Sequence, residues 1–578
     1  MKTRLPTLIR LFGFPLLSLL LLGLFNSGLV AKEVLAPSPE NHVYQYMTQQ
    51  SFTAPGFKTS NTTAYLWIPP SCRHVRGLLV MGHNVPEQEL AGNPLIREVC
   101  TEQSLAILFT CPSFRMSDVC AAKESTQPNL TQEHSLTAPT LTWAEKCSFH
   151  KAFLQQILDA LAKESGFKEL STAPLLPMGE SMSLLVVDLV TNAFPERCIA
   201  GIWIKDQHIN HALPGLPTLS ACGTGAEWDA PKFDPFNRWR DMATDDEKKF
   251  VEKRTAMPDW PGSLLVEAGS AHFSCTEEMA SLIAKYIRSA AKARLPILDG
   301  SALIPVDLKS GFVASLPVPG IQPVKPKSYL DCTPGEQNLP WYFDKESAQA
   351  AYDLANINWD AKTQMPAFLD NDGNPLPFNN RGVFTLSPPV MEPDGITFTV
   401  RAAFLDKLPA DFVKGNSPLT HVAGTPKVEW LKGPAIPLAN NRFQLALDRS
   451  AAAIGTQEIL FRAIHPGDAD YRLSVIPAFL TIPRNKAGNP QTITFEAIPD
   501  QPAGKKEVLL HATSDSGLPV HFFVKAGPAK ILGNKLVFSD IPEAGTFPIS
   551  ITVVAWQWGN ASFQTAPVVE RTFQITKE

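Results

Sequence analysis

The feature that most constrains this chain is the run Leu175-Leu-Pro-Met-Gly-Glu-Ser-Met-Ser183, continued by the apolar stretch from Leu184 to Phe194. It reads as a short buried strand, a tight turn with Ser181 at its apex, and a buried helix. With Gly179 two residues before the serine, the pattern is G-x-S-x-S, one residue off the usual G-x-S-x-G. This is the layout of a nucleophile elbow, in which a serine is pushed out of a sheet beside a helix N-terminus. A helix-capping serine in an ordinary strand-to-helix turn produces the same pattern. Partners elsewhere in the chain must separate the two readings.

Around this stretch, short apolar runs alternate with helical periodicity. Ala64 to Ile68, Gly77 to Met81, Leu105 to Thr110, Cys198 to Ile204, Leu216 to Cys222 and Ser263 to Ala268 read as strands. Helices are expected over 87–103, over 143–164 closed by Gly166, and over 276–292 with Glu277 and Glu278 in the first turn. Residues 32–60 are a polar lead-in. Strand–helix alternation over 60–295 predicts a mostly parallel sheet wrapped by helices, with its site at the C-terminal ends of the strands. After about residue 300 helical periodicity fades, apart from 347–356, and short alternating runs take over. They predict a β-rich, sandwich-like unit over 301–490 and six strands over 491–578.

A serine hydroxyl needs an adjacent base to act as a nucleophile. Of the 12 histidines, His272 stands just past the last predicted strand of the alternating region, where a base after Ser181 is expected. An acid is expected after Leu216 to Cys222. Glu227 and Asp229 both qualify, Asp234 less directly, and Glu227 is nearest the strand end. The acid would hold the imidazole in the right tautomer. An oxyanion hole would draw one N–H from Met182 and the other from the loop after Met81, at His83 or Asn84. His208, in Asp206-Gln-His-Ile-Asn-His211, and Trp228 are candidate substrate-pocket residues. Trp228, Phe233, Phe236, Trp239 and Trp260 either form a lid or stacking wall or simply pack an insertion. Asp206, His208 and His211 would allow a metal site, but this chemistry needs no metal; Asp370-Asn-Asp-Gly-Asn374 opens like a calcium loop, but Arg381 stands where Glu is required, so a turn is expected. No cofactor is needed for this chemistry.

Pro174 to Ser183, Phe194-Pro-Glu-Arg-Cys-Ile-Ala-Gly201 and Gly269-Ser-Ala-His272 resemble an α/β-hydrolase of the exported bacterial serine esterase kind, over residues 60–295. The resemblance implies acyl transfer to water through an acyl-serine. Ser183 stands where the family usually has Gly, and Gly223-Thr-Gly-Ala-Glu227 departs from its usual acid spacing. Ile493-Thr-Phe495, Ser516-Gly-Leu-Pro-Val520 and Gly559-Asn560 resemble bacterial immunoglobulin-like repeats. The fold expected is therefore an α/β-hydrolase domain over 32–300 followed by two β-sandwich-like domains, 301–490 and 491–578.

Lys2, Arg4 and Arg10 precede the apolar run Leu11 to Leu24, and Ala31 is a plausible cleavage point. Residues 1–31 thus read as a signal peptide, or else as an uncleaved anchor. No other run of about 20 apolar residues appears. A secreted or periplasmic protein, or one at the cell surface, is expected, with no membrane span in the mature chain. Its nine cysteines include no C-x-x-C pair, so disulfides are expected rather than a metal cluster, with Cys332 left over. A net charge of −5 gives no reason to expect nucleic acid as partner. The partner expected is a small-molecule or polysaccharide ester. Two rival readings remain: a serine peptidase of the same fold, and a cell-surface binding protein whose hydrolase domain is degenerate.

Overall fold

The computed structural model describes residues 43–53, 59–111, 141–205, 209–223, 238–267, 269–298, 300–316, 323–356, 361–378, 383–449 and 457–577. Eight strands form one sheet: β1 (Tyr46–Phe52), β2 (Ser60–Trp67), β3 (Gly77–Gly82), β4 (Leu105–Cys111), β5 (Leu175–Glu180), β6 (Gly201–Ile204), β7 (Thr218–Gly223) and β8 (Gly262–Glu267). Their spatial order is β1-β2-β4-β3-β5-β6-β7-β8. β1 and β2 run antiparallel to each other, β2 runs antiparallel to β4, and every pairing from β4 to β8 is parallel.

The central strands are buried along their length because both faces are covered. Alternate residues of β3 show it. Leu78 and Val80 enter a core with Phe153 and Ile157 of α3 (Trp143–Ser165) and Leu189 of α4 (Leu184–Ala193). Leu79 and Met81 enter the opposite core, with Ile96 of α2 (Pro94–Gln103) and Ile283 and Ile287 of α6 (Glu277–Arg294). α3 starts on a capping box between Thr142 and Glu145 and stops at Gly166, whose φ is +83°.

Some expectations change. The helix expected over 87–103 is two helices, α1 (Val85–Gly92) and α2, because Pro94 forces Asn93 into extended backbone (φ −64°, ψ 129°). The polar lead-in contains the edge strand β1, whose residues alternate between partly buried and exposed from Thr48 on. Part of the charged insertion before Asp259 is a helix, α5 (Arg238–Ala256). Past residue 300, Phe312–Val313, Lys327–Ser328 and Trp341–Tyr342 make a small sheet. It packs on the α/β unit: Ser263 Oγ donates to the Trp341 carbonyl at 2.5 Å and Tyr342 Oη to that of Leu264 at 2.6 Å. α7 (Lys345–Asn356) follows, and its Ala348, Ala351 and Leu354 join the core of α2 and α6. The boundary expected at 300 thus falls inside a stretch that shares the α/β core.

The remainder is rich in β-strands. Phe384–Leu386, Ser474–Ile482, Gln457–His465 and Lys427–Lys432 form one sheet, and Thr397–Thr399, Arg442–Leu445 and Ala435–Pro437 another, around Phe398, Phe443 and Phe461. Further on, Gln501–Pro502, Val569–Thr576, Ile549–Trp556 and His521–Ala526 pair, as do Glu507–Leu509, Lys535–Phe538 and Ala529–Leu532. Their core runs on into that of α3.

The expectation of disulfides is not met. Cys72, Cys100, Cys111, Cys147, Cys198, Cys275 and Cys332 are free thiols. Several serve as small apolar core residues: Cys100 and Cys198 are fully buried in opposite cores, and burial pushes both thiols up to about 12. Cys120 and the leader lie outside the described residues. Among the described residues, no helix is long and apolar enough to cross a membrane.

Candidate active site

β5 is buried along its whole length and delivers Ser181 at its C-terminal end. Ser181 has φ +49°, the left-handed region that a residue with a Cβ seldom adopts. Residues Ser181–Ser183 then make a short 3-10 turn into α4. Gly179 makes this possible, because a Cβ there would stand 2.4 Å from the Ser183 carbonyl oxygen. Ser183 itself has ordinary helical backbone (φ −78°, ψ −7°), so its position does not require a glycine.

His272 lies on the loop after β8, buried, with Nε2 2.8 Å from Ser181 Oγ. The structure therefore brings together the two residues singled out as nucleophile and base. It adds a third. Glu180, fully buried, places Oε1 3.3 Å from His272 Nε2. Asn84 Nδ2 donates to Glu180 Oε2 at 2.6 Å and to the Glu180 carbonyl at 2.8 Å. The Glu180 N–H donates to Glu87 Oε1 at 2.8 Å. Burial holds the Glu87 carboxyl above the ordinary carboxylate range, and pushes Glu89 on the same helix up to about 7. At the end of β8, Glu267 accepts from Thr276 Oγ1 and lies 3.7 Å from the buried Lys205 Nζ. Lys205 Nζ also donates to Ser270 Oγ at 2.6 Å, which ties down the loop that carries His272.

Glu227, Asp229 and Asp234 lie outside the described residues, as do Asp206, His208, Trp228, Phe233 and Phe236. Met182 follows Ser181 in the 3-10 turn, with its side chain 54% exposed. The expectation for His83 and Asn84 is corrected. The His83 N–H donates to the Thr110 carbonyl at 2.8 Å and that of Asn84 to the Gly82 carbonyl at 2.9 Å. Gly82 pairs with Thr110 in the β3–β4 ladder, so the sheet takes the first amide. Asn84 acts instead through its side chain. Trp260 is not a stacking wall. It is fully buried against Phe250, with Nε1 donating to Thr218 Oγ1 at 2.7 Å. His211 stacks on Trp143 at 4.5 Å. Asp370 Oδ1 accepts from the Asp372 and Asn374 amides, which makes a turn. Among the described residues no group of three or more His, Cys, Asp or Glu could hold a metal ion.

Sequence reasoning missed Glu180, Glu87 and the Asn84 side chain. The signal was a carboxylate closing an otherwise apolar buried strand, and an acidic cluster, Glu87 to Glu89, beside the next strand end. Buried carboxylates need a reason.

The strand order, a serine in left-handed backbone after β5 and a histidine after β8 define an α/β-hydrolase fold with a serine–histidine pair at the elbow. No family model and no curated protein matches the chain. Solved structures similar to part of it include an alpha-beta serine hydrolase homologue from Coxiella burnetii, at 10% identity and a TM-score of 0.25, covering 42% of this chain and 95% of that one. An S-formylglutathione hydrolase from Agrobacterium tumefaciens is similar at 12% and 0.27, covering 46% and 100%. A feruloyl esterase module from Clostridium thermocellum is similar at 13% and 0.26, covering 45% and 93%. At such scores the fold assignment rests on the strand order and the elbow.

Proposed function

We propose that this chain is a serine hydrolase that cleaves carboxylic esters through an acyl-serine intermediate. The observation that carries the reading is the 2.8 Å contact between Ser181 Oγ and His272 Nε2, at a serine held in left-handed backbone. His272 takes the hydroxyl proton as Oγ bonds to the ester carbonyl carbon. The tetrahedral intermediate collapses, and the Nε2 proton goes to the leaving alkoxide. Water, deprotonated by the same nitrogen, then releases the acid. Glu180, beside Nε2, offsets the positive charge that the ring carries between these steps. Glu227 or Asp229 as the acid on the far side of the ring, and Met182 as an oxyanion donor, belong to the same proposal.

The wider reading is an exported enzyme with its leader at residues 1–31. Its two β-rich units would be sandwich-like, the last one immunoglobulin-like, and its ester could be carbohydrate-linked. Nine short strands along the last unit, from Ile493–Phe495 to Val569–Thr576, support that part.

The test is hydrolysis of a short-chain aryl ester, with labelling by a fluorophosphonate, which reacts only with an activated serine. Wild-type protein is expected to do both and the Ser181→Ala variant neither. Folded wild-type protein that takes no label would overturn the reading in favour of a binding protein.

A further inference from the structure

The loop that carries His272 is pressed between two units. On one side stand β8 and Lys205 of the α/β unit. On the other stand Gln457–His465 and Ser474–Ile482, neighbouring strands of the following β-rich unit. At Gly269, with φ +85°, an added Cβ would lie 2.0 Å from the Leu473 carbonyl oxygen, so the two backbones touch. Ala271 is fully buried in a cluster with Ile464, Leu473 and Val475. Phe273 stands edge-on to the His272 ring at 4.8 Å and edge-to-face with Phe479 at 5.7 Å.

Arg462 crosses the same seam with no exposed surface. Its Nε donates to Glu429 Oε2 at 3.0 Å within the β-rich unit. Its Nη1 lies 3.5 Å from the Cys275 carbonyl at the end of the histidine loop, and its Nη2 4.0 Å from Glu89 Oε1 on α1. α1 also carries Glu87, which receives the Glu180 amide. A guanidinium taken wholly out of water is costly unless it is paired and hydrogen-bonded, and its planar fork suits it to joining several acceptors at once. Here it hydrogen-bonds the histidine loop and the β-rich sheet and faces a carboxylate of the helix behind Glu180.

We propose that Arg462, with Phe479, is a positioning residue for His272, so that the β-rich unit sets the geometry of the proposed general base. The inference rests on the hydrolase reading for its catalytic consequence but not for its structural one.

The test uses the full chain with Arg462→Met, Arg462→Lys and Phe479→Ala, each checked for folding by circular dichroism. Hydrogen–deuterium exchange is read on peptides covering 269–275 and, as an internal reference, 175–193. Aryl-ester kinetics are read beside it. In Arg462→Met, exchange over 269–275 is expected to quicken while 175–193 stays protected. Its kcat should fall ~10–100-fold with KM within about two-fold, since small misplacement of a reacting group carries losses of that size. Arg462→Lys should recover part of the loss. If Arg462→Met does not fold, Phe479→Ala carries the same expectations. Folded variants with unchanged exchange, or with quickened exchange and unchanged kcat, overturn the proposal. If wild-type protein neither hydrolyses esters nor takes a fluorophosphonate, the hydrolase reading fails, and exchange over 269–275 still decides whether Arg462 orders the loop.

Discussion

Glu180 Oε1 lies 3.3 Å from His272 Nε2, the nitrogen that meets the Ser181 hydroxyl. The residue before the nucleophile thus places a carboxylate beside the atom that handles the proton. Glu180→Gln keeps an acceptor for Asn84 and removes the charge. Its kcat on an aryl ester is expected to fall by at least about ten-fold, which is ~1.4 kcal/mol of lost transition-state stabilisation. Fluorophosphonate labelling should slow with it. A variant with wild-type kcat would show that the charge does not act on the ring.

Asn84 gives Glu180 two hydrogen bonds from one amide nitrogen. Asn84→Asp replaces that donor with a third carboxylate beside Glu180 and Glu87. It should be more harmful than Asn84→Ala, which leaves Glu180 short of donors at a cost of about 1–3 kcal/mol. Chemical denaturation of the two variants tests the order; Asn84→Ala as the less stable one would contradict it.

Gly179→Ala introduces a Cβ 2.4 Å from the Ser183 carbonyl. Main chain on both sides leaves little to give way, so the turn must open. A loss of about 1–3 kcal/mol in stability is expected. The loss of esterase activity should be larger than that destabilisation explains at a temperature where the variant remains folded.

Glu247 on α5 is buried, accepts the Leu316 amide at 3.0 Å, and is pushed up by burial from 4.5 to about 7. Folding therefore favours its protonated form. The stability this contributes is full below pH 4.5 and is lost as pH rises through about 7, on the order of 3 kcal/mol in all. Glu247→Gln keeps the acceptor and cannot ionise, so its advantage over wild type should grow from pH 4.5 to pH 8. His150, pushed down to about 4 by burial, acts with the opposite sign, since its contribution is lost as pH falls from 6.5 towards 4. The Glu247→Gln difference removes that background. Parallel melting-temperature curves across the range would refute the assignment.

The parts legible in the sequence are those written in local pattern. The elbow shows because an apolar strand, a turn and an apolar helix follow one another without a break. His272 shows because it follows the last strand of the alternation. Glu180 does not, because its role depends on Asn84 and His272, distant in sequence, converging on it. β1 hides because an edge strand with one wet face has little apolar content. Residues 312–356 look like the start of a new unit because their strands are two residues long, and the contacts that tie them to β8, from Trp341, Tyr342 and Ala355 among others, are with residues distant in sequence. The cysteines mislead because burial of a small apolar side chain and disulfide formation leave the same residue type in the sequence.

The left-handed backbone at Ser181 sets function against stability at one position. Glycine adopts φ near +49° without the steric cost that any Cβ carries there. The inert Ser181→Gly variant should therefore melt above Ser181→Ala, and above the wild-type protein if relief of backbone strain exceeds the gain in unfolded-chain entropy. On this reading, the residue that would make the protein work is also one at which the chain is less stable than it could be.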